Sequence, residues 1–315
     1  MKKTPSILQL AQQYLAERRQ RGYRMATEGA ELLRFARYAA THAPAAPLTA
    51  ELVVGWAKLP TKADPCYWAR RFEIVRRFAP YAKFYAPRSE LLPIGLLGPP
   101  KRKRPAPHIY TQSELTTLLD AARHMTPTNG LRAWTCATLL GLLACTGLRI
   151  GEALRLQNAD VDWKAGLLHI RHGKGDRPRW VPLHPTAVQA LRRYVKRRNQ
   201  VYPRPATDTF FLTADGTAMH YRRALHDFWR LRKRLGWNVT THPRRPRLHD
   251  LRHTFAVRRL LLWYRQHRNV DQHITALTTY LGHVKFTDTY WYLTAIPELM
   301  ALVTSRFEKS NPFTR

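Results

Sequence analysis

The stretch Thr146-Gly147-Leu148-Arg149-Ile150-Gly151-Glu152 sets the frame of this chain. The residues before it, 133–146, are nearly all apolar, which predicts a buried helix. Gly147 can end that helix in a left-handed turn, because it carries no Cβ. A second helix can then start at once, leaving Arg149 at a junction where several elements can converge. A guanidinium is permanently charged and presents a planar fork that matches phosphate oxygens. Glu152, one turn later, is spaced to orient it. The apolar run Ala133–Leu148 is shorter than a bilayer span and Arg149 closes it, so it reads as core and not as membrane.

Downstream the pattern becomes mixed. Three short strand-like runs follow, Asp160–Trp163, Leu167–Arg171 and Arg179–Leu183. The turn between the last two, His172-Gly173-Lys174-Gly175-Asp176, is flanked by glycines and puts Lys174 at a hairpin tip. A lysine there can reach a nucleic-acid groove and give a proton to a leaving oxygen, since its pKa falls readily on desolvation. From Pro185 the periodicity is helical. In Leu248-His249-Asp250-Leu251-Arg252-His253-Thr254-Phe255-Ala256, His249 and Arg252 are three apart and share a helix face. Histidine can share a proton at neutral pH. His249 and His253 also have the four-residue spacing of a zinc pair, but Asp250 stands where a metalloprotease has glutamate and no third ligand is evident, so no metal or cofactor is expected. Gly282 can end a further helix and free His283 to donate to a phosphate. Tyr280, Tyr290 and Tyr292 lie close by, and spacing alone leaves open which of Tyr290 and Tyr292 acts as nucleophile. Attack on a phosphodiester needs a nucleophile, charge for the non-bridging oxygens, a proton for the leaving oxygen and in-line geometry. These residues supply each kind of group.

Composition points to the same electrophile. The 315 residues carry 53 Lys+Arg against 21 Asp+Glu, a formal charge of +32 spread along the chain. An extended polyanion is the expected partner, with no membrane association. Hydrophobic content of 44% supports real cores and excludes a disordered basic tail. The three cysteines, Cys66, Cys136 and Cys145, lack metal-ligand spacing and read as reduced thiols of a cytoplasmic protein. The opening MKKTPSILQLAQQY has no uninterrupted apolar core, so no signal peptide is expected.

Residues 1–86 read as a helical domain. Ser6, Thr27 and Thr49 are candidate caps for the first three helices, and a fourth spans Pro65–Tyr85. That fourth helix alternates Arg70, Arg71, Arg76, Arg77 and Lys83 with apolar residues, and its basic face is a candidate DNA contact. Residues 87–108 are dense in proline and glycine and carry Lys101, Arg102, Lys103 and Arg104. They read as a linker whose charge tracks a phosphate backbone. A second domain, 109–315, opens on a capping box, Thr111-x-x-Glu114. The fold expected is mostly α with a small antiparallel β-sheet.

Four blocks in order resemble the tyrosine recombinase, or phage integrase, family: TGLRIGEALRL (146–156), HGKGDRPRWVPLH (172–184), LHDLRHTFA (248–256) and YLGHVKFTDTYWY (280–292). The resemblance implies a helical core-binding domain and a mixed α+β catalytic domain that clamp DNA between them. It places the nucleophile nine residues after His283, on Tyr292. It assigns Arg149 and Arg252 to phosphate, Lys174 to the leaving group, His249 to proton transfer, His283 to phosphate and Glu152 to support. It further implies double-stranded DNA with paired half-sites, bound as a dimer that pairs into a tetramer, with Pro297–Phe307 as a helix that docks on a neighbouring protomer. Where family members often have Tyr-Thr-His, this chain has Tyr292-Leu293-Thr294, the mark of a divergent branch. A type IB topoisomerase shares this chemistry, and an accessory DNA-binding protein can share the fold without activity.

Overall fold

The computed structural model describes residues 5–44, 46–100, 106–127, 130–173, 178–237, 245–266 and 268–282, with Met300. The chain divides into two compact units, Met1–Pro105 and Ala106–Arg315.

In the first unit, α1 (Ile7–Gln20), α2 (Ala26–His42), α3 (Ala50–Lys58) and α4 (Pro65–Tyr85) pack around one apolar core. Side chains near the helix starts satisfy backbone donors that would otherwise be orphaned. The Gln9 amide donates to Ser6 Oγ at 3.3 Å and the Ser6 amide to Gln9 Oε1 at 2.9 Å, a reciprocal box. Thr49 and Asp64 cap α3 and α4. Thr27 does not cap α2. That helix begins two residues earlier, because Met25 turns the chain in the left-handed region (φ 47°) and its carbonyl accepts the Gly29 amide at 3.0 Å. Gly29, in the first turn of α2, faces Leu15 of α1, where a Cβ would lie 3.1 Å from the leucine side chain. Leu10, Phe35, Trp56, Phe72 and Phe78 are fully buried, each stabilising the unit by about 1.5–3 kcal/mol.

Arg71 departs from the expectation for α4. It points into the unit, with its guanidinium 3.8 Å from the Trp56 ring centre and a hydrogen bond of 3.3 Å to the Ala57 carbonyl. Arg70 and Arg77 remain exposed, and Arg76 is half-buried beside Glu73. Residues 89–97, read in sequence as linker, fasten to this unit. Ser89 Oγ accepts the Leu48 amide, Glu90 accepts the Ala50 amide, and Leu92 is buried in the core.

The second unit is built on α6 (Leu131–Thr146), flanked by α5 (Gln112–Arg123) and α8 (Pro185–Val201). The Thr111–Glu114 box caps α5. After α7 (Ile150–Leu154) and a 3₁₀ turn, β1 (Val161–Asp162), β2 (Leu167–Ile170) and β3 (Arg179–Pro182) form an antiparallel sheet in chain order. Leu168 pairs with Val161 on one side and Val181 on the other, and all three face the core. On the opposite face His169 stacks on the exposed Trp180.

Two isolated bridges, Gln157 with Thr209 and Leu212 with Ala218, lie outside any strand foreseen in the sequence. The Leu212 backbone is tied into the core by the hydroxyls of Tyr194 and Thr135. Then come α9 (Tyr221–Arg234), α10 (Leu248–Arg265) and α11 (Val270–Leu281). Among the described residues no helix is long and apolar enough to cross a membrane.

Candidate strand-transfer site

The site is organised by two glycines. Gly147 ends α6 with φ 63°, and a Cβ there would meet Phe255 of α10 at 2.6 Å. Only a residue without a side chain lets the two helices approach so closely. Gly282 follows α11 with φ 65°, and a Cβ there would lie 3.0 Å from an Arg179 nitrogen. Between these turns, segments far apart in sequence meet.

Arg149 lies in extended backbone just before α7. Its Nη1 donates to Glu152 Oε1 at 2.8 Å and to the Leu281 carbonyl at 3.4 Å, and its Nη2 donates to the Gly282 carbonyl at 2.9 Å. Arg252, one turn into α10 and 2% exposed, donates from Nη1 to the Gly147 carbonyl at 2.7 Å and from Nη2 to the Leu281 carbonyl at 2.6 Å. The two arginines singled out in sequence therefore converge on one oxygen. A third, Arg179 of β3, donates from Nε to the Tyr280 carbonyl at 2.7 Å. Three successive carbonyls at the end of α11 are thus held by three guanidiniums. The end of a helix carries partial negative charge and favours cations.

Among the described residues Glu152 is the carboxylate that pairs with both Arg149 and Arg179. Its side chain is 1% exposed and accepts from the Arg149 amide and Nη1 and from Arg179 Nη1 and Nη2. Burial pushes its carboxyl up, but Arg179, by hydrogen bond and charge, and then Arg149 outweigh that and hold it below the usual value. Arg149, Arg179 and Arg252 with Glu152 therefore carry three positive charges against one negative. That surplus suits a phosphodiester anion.

His249 lies one residue into α10, its ring edge-on to His253 with centroids 4.7 Å apart. Loss of water around the ring, followed by the charges of Arg252, Arg247 and Arg149, pulls its pKa down to about 4, with Asp250 opposing. The ring is therefore neutral at pH 7 and able to accept a proton. Imidazole NMR on the DNA-free protein is expected to show His249 titrating near pH 4, and addition of duplex DNA should move the midpoint up. A midpoint at the ordinary 6.5 in the free protein would contradict this. Because the folded pKa is depressed, the stability contribution is complete above the unfolded value and is lost as pH falls from about 6.5 toward 4.

Of the residues read from the sequence, Arg149, Glu152, His249 and Arg252 are brought to this junction. Lys174, His283, Tyr290, Tyr292 and the run Lys101–Arg104 lie outside the described residues, as does the segment Pro297–Phe307 apart from Met300. Arg70, Arg71, Arg76 and Arg77 belong to the first unit. Among the described residues no His, Cys, Asp or Glu group could hold a metal ion. Sequence reading missed Arg179. The signal was present: Arg179 is two residues from Val181, so alternation along the strand puts it on the core-facing side, where an arginine needs a carboxylate.

Residues 109–297 match the phage integrase family. The chain is 38% identical over 307 residues to a Sinorhizobium fredii protein designated integrase/recombinase y4rB, covering 96% of each. It is 29% identical over 231 residues to tyrosine recombinase XerD of Staphylococcus epidermidis, covering 71% of this chain and 70% of that one. Two solved structures share the fold. The Tn1549 transposon integrase, in complex with circular intermediate DNA, has a TM-score of 0.65 at 18% identity over 95% of this chain and 99% of that one. The XerH site-specific recombinase, bound to a palindromic difH substrate after cleavage, has a TM-score of 0.64 at 19% identity over 90% and 79%.

Proposed function

The chain belongs to the phage integrase family and is a site-specific DNA recombinase of the tyrosine type, and from that premise we propose how its residues divide the work. Strands are cut and rejoined through a 3′-phosphotyrosyl intermediate, the chemistry characteristic of the family. Arg149 and Arg252 hold the non-bridging oxygens of the scissile phosphate. The Tyr292 oxygen attacks phosphorus, forming the O–P bond as the bond to the 5′ oxygen breaks. Neutral His249 takes the phenol proton, Lys174 gives a proton to the departing 5′ oxygen, and His283 donates to phosphate. The link keeps the energy of the broken bond, so a 5′ hydroxyl of another strand can reverse the step.

The observation that carries this reading is the convergence of Arg149 Nη1 and Arg252 Nη2 on the Leu281 carbonyl. Fixed cations that need no rearrangement stabilise the charge of a phosphoryl transition state. Glu152 supports Arg149 from below. We assign the first unit to core binding on duplex DNA, with Arg70 and Arg77 exposed for phosphate contact and Lys101–Arg104 following the backbone. The catalytic unit spans the residues matched to the family. The Tn1549 and XerH structures hold DNA, which supports a duplex partner here. Paired half-sites, a dimer pairing into a tetramer, the docking role of Pro297–Phe307 and action in the cytoplasm complete the proposal.

The test is covalent capture. Nicked duplexes tiled across the DNA flanking the gene are incubated with the protein, and the products are denatured and digested. An adduct whose 3′ phosphate maps to the Tyr292 peptide is expected, and binding without any adduct would refute strand transfer. Affinity should fall with salt by a slope of about −0.9 for each phosphate neutralised.

A further inference from the structure

We propose that Arg179, the first residue of β3, is a positioning residue of this site: it bridges Glu152 to the end of α11 and so fixes Arg149 and the point from which the chain runs on to His283 and Tyr292. The inference rests on the recombinase reading above and adds a residue to it.

Arg179 Nη2 donates to Glu152 Oε2 at 2.8 Å and Nη1 to Oε1 at 3.2 Å, a forked pair. The same two oxygens receive Arg149, through its amide on Oε2 and Nη1 on Oε1. Glu152 is therefore clamped from two sides, and its orientation toward Arg149 depends on the second clamp. The Arg179 Nε, donating to the Tyr280 carbonyl, ties β3 to the last turn of α11. Tyr280 is itself stacked on Phe255 of α10, with ring centres 5.6 Å apart.

Gly282 lets the guanidinium lie flat against the backbone, since a Cβ there would come within 3.0 Å of it. Arg179 is 10% exposed in its side chain, and its Nε and both Nη atoms are engaged by protein groups. Its contribution is made through Glu152 and α11, the groups it bonds. A lysine keeps the charge beside Glu152 but lacks the planar fork whose Nε and Nη ends reach Tyr280 and Glu152 separately.

The test compares wild type, Arg179→Gln, Arg179→Lys, Glu152→Gln and the double variant Arg179→Gln/Glu152→Gln. Duplex affinity and single-turnover adduct formation are measured on whichever tiled nicked duplex the wild type captures. Arg179→Gln should bind duplex within about twofold of wild type and form adduct about 10- to 100-fold more slowly, because small misplacement of reacting groups costs rate without costing affinity. Arg179→Lys should fall between the two. In the Glu152→Gln background, Arg179→Gln should cost less than about threefold more, since residues acting as one unit are not additive.

Adduct formation by Arg179→Gln within twofold of wild type overturns the proposal. So does the same loss with or without Glu152, or a parallel fall in affinity. Should Arg179→Gln fail to fold, Arg179→Lys carries the test, and wild-type cleavage by that variant overturns it. Absence of any adduct with the wild type refutes the recombinase reading itself, a different outcome.

Discussion

A Tyr292→Phe variant is expected to bind duplex DNA as the wild type does and to form no covalent adduct. The substitution removes one oxygen and keeps the ring, so packing and charge are unchanged while the attacking atom is gone. Loss should be at least on the order of 10⁴-fold in single-turnover cleavage, the scale on which removing a nucleophile is felt. Tyr290→Phe is the control and should keep capture. The two tyrosines are separated by one residue, and only the family spacing from His283 distinguishes them. Capture that survives in Tyr292→Phe and disappears in Tyr290→Phe would move the nucleophile to Tyr290.

The second large effect is expected at Arg252. Its guanidinium is buried and satisfies the Gly147 carbonyl, which ends α6, and the Leu281 carbonyl, which ends α11. Arg252→Ala removes both donors and opens a void at the meeting point of three helices. A loss of about 3 kcal/mol in urea unfolding is expected, the scale of an unmade buried polar contact plus lost packing. Below the unfolding midpoint, cleavage should still fall about 10²- to 10³-fold, because one fixed cation facing the phosphate is missing. Arg252→Lys should recover part of the stability and less of the rate, since an ammonium cannot bridge two carbonyls in the plane that a guanidinium spans. Cleavage by Arg252→Ala within tenfold of wild type would remove Arg252 from the phosphate clamp.

What the sequence disclosed and what it hid follow from the range of the interactions. Caps and helix ends are decided within a few residues, so Ser6, Thr49, Thr111 with Glu114, Gly147 and Gly282 could be read directly. The hairpin was legible in the strand-like runs around Leu168 and Val181 and the glycine-flanked turn between them, whereas its register came from the structure. Thr27 misled because α2 starts at Ala26, directly after a left-handed turn at Met25 that nothing in the sequence announces. Arg71 misled because its partner lies on another helix: a basic residue in a basic stripe proves to be buried over Trp56 of α3.

The site showed the same divide. Arg149, His249 and Arg252 announced themselves through local spacing and through blocks that resemble a family. Arg179 acts across 27 residues to Glu152 and 101 to Tyr280, and no neighbour in sequence reveals those partners. The short bridges at Thr209 and Leu212 were equally invisible, since Thr209 pairs with the distant Gln157 and the Leu212 backbone is held by Tyr194 and Thr135 from other elements.

The bonds that gather the three arginines span 105 residues from Arg252 to Gly147, 133 from Arg149 to Gly282 and 101 from Arg179 to Tyr280. The bonds made by Arg149 and Arg179 cannot close until the chain has been synthesised through Tyr280 and Gly282, and until then Arg252 has Gly147 but lacks Leu281. A nascent chain on the ribosome has its amino-terminal unit available to fold first, yet it lacks the collar that draws the cationic fork together. The carbonyls that gather these arginines are among the last parts of the described chain to be made, so a product that stops short of Tyr280 has the arginines without the frame that joins them.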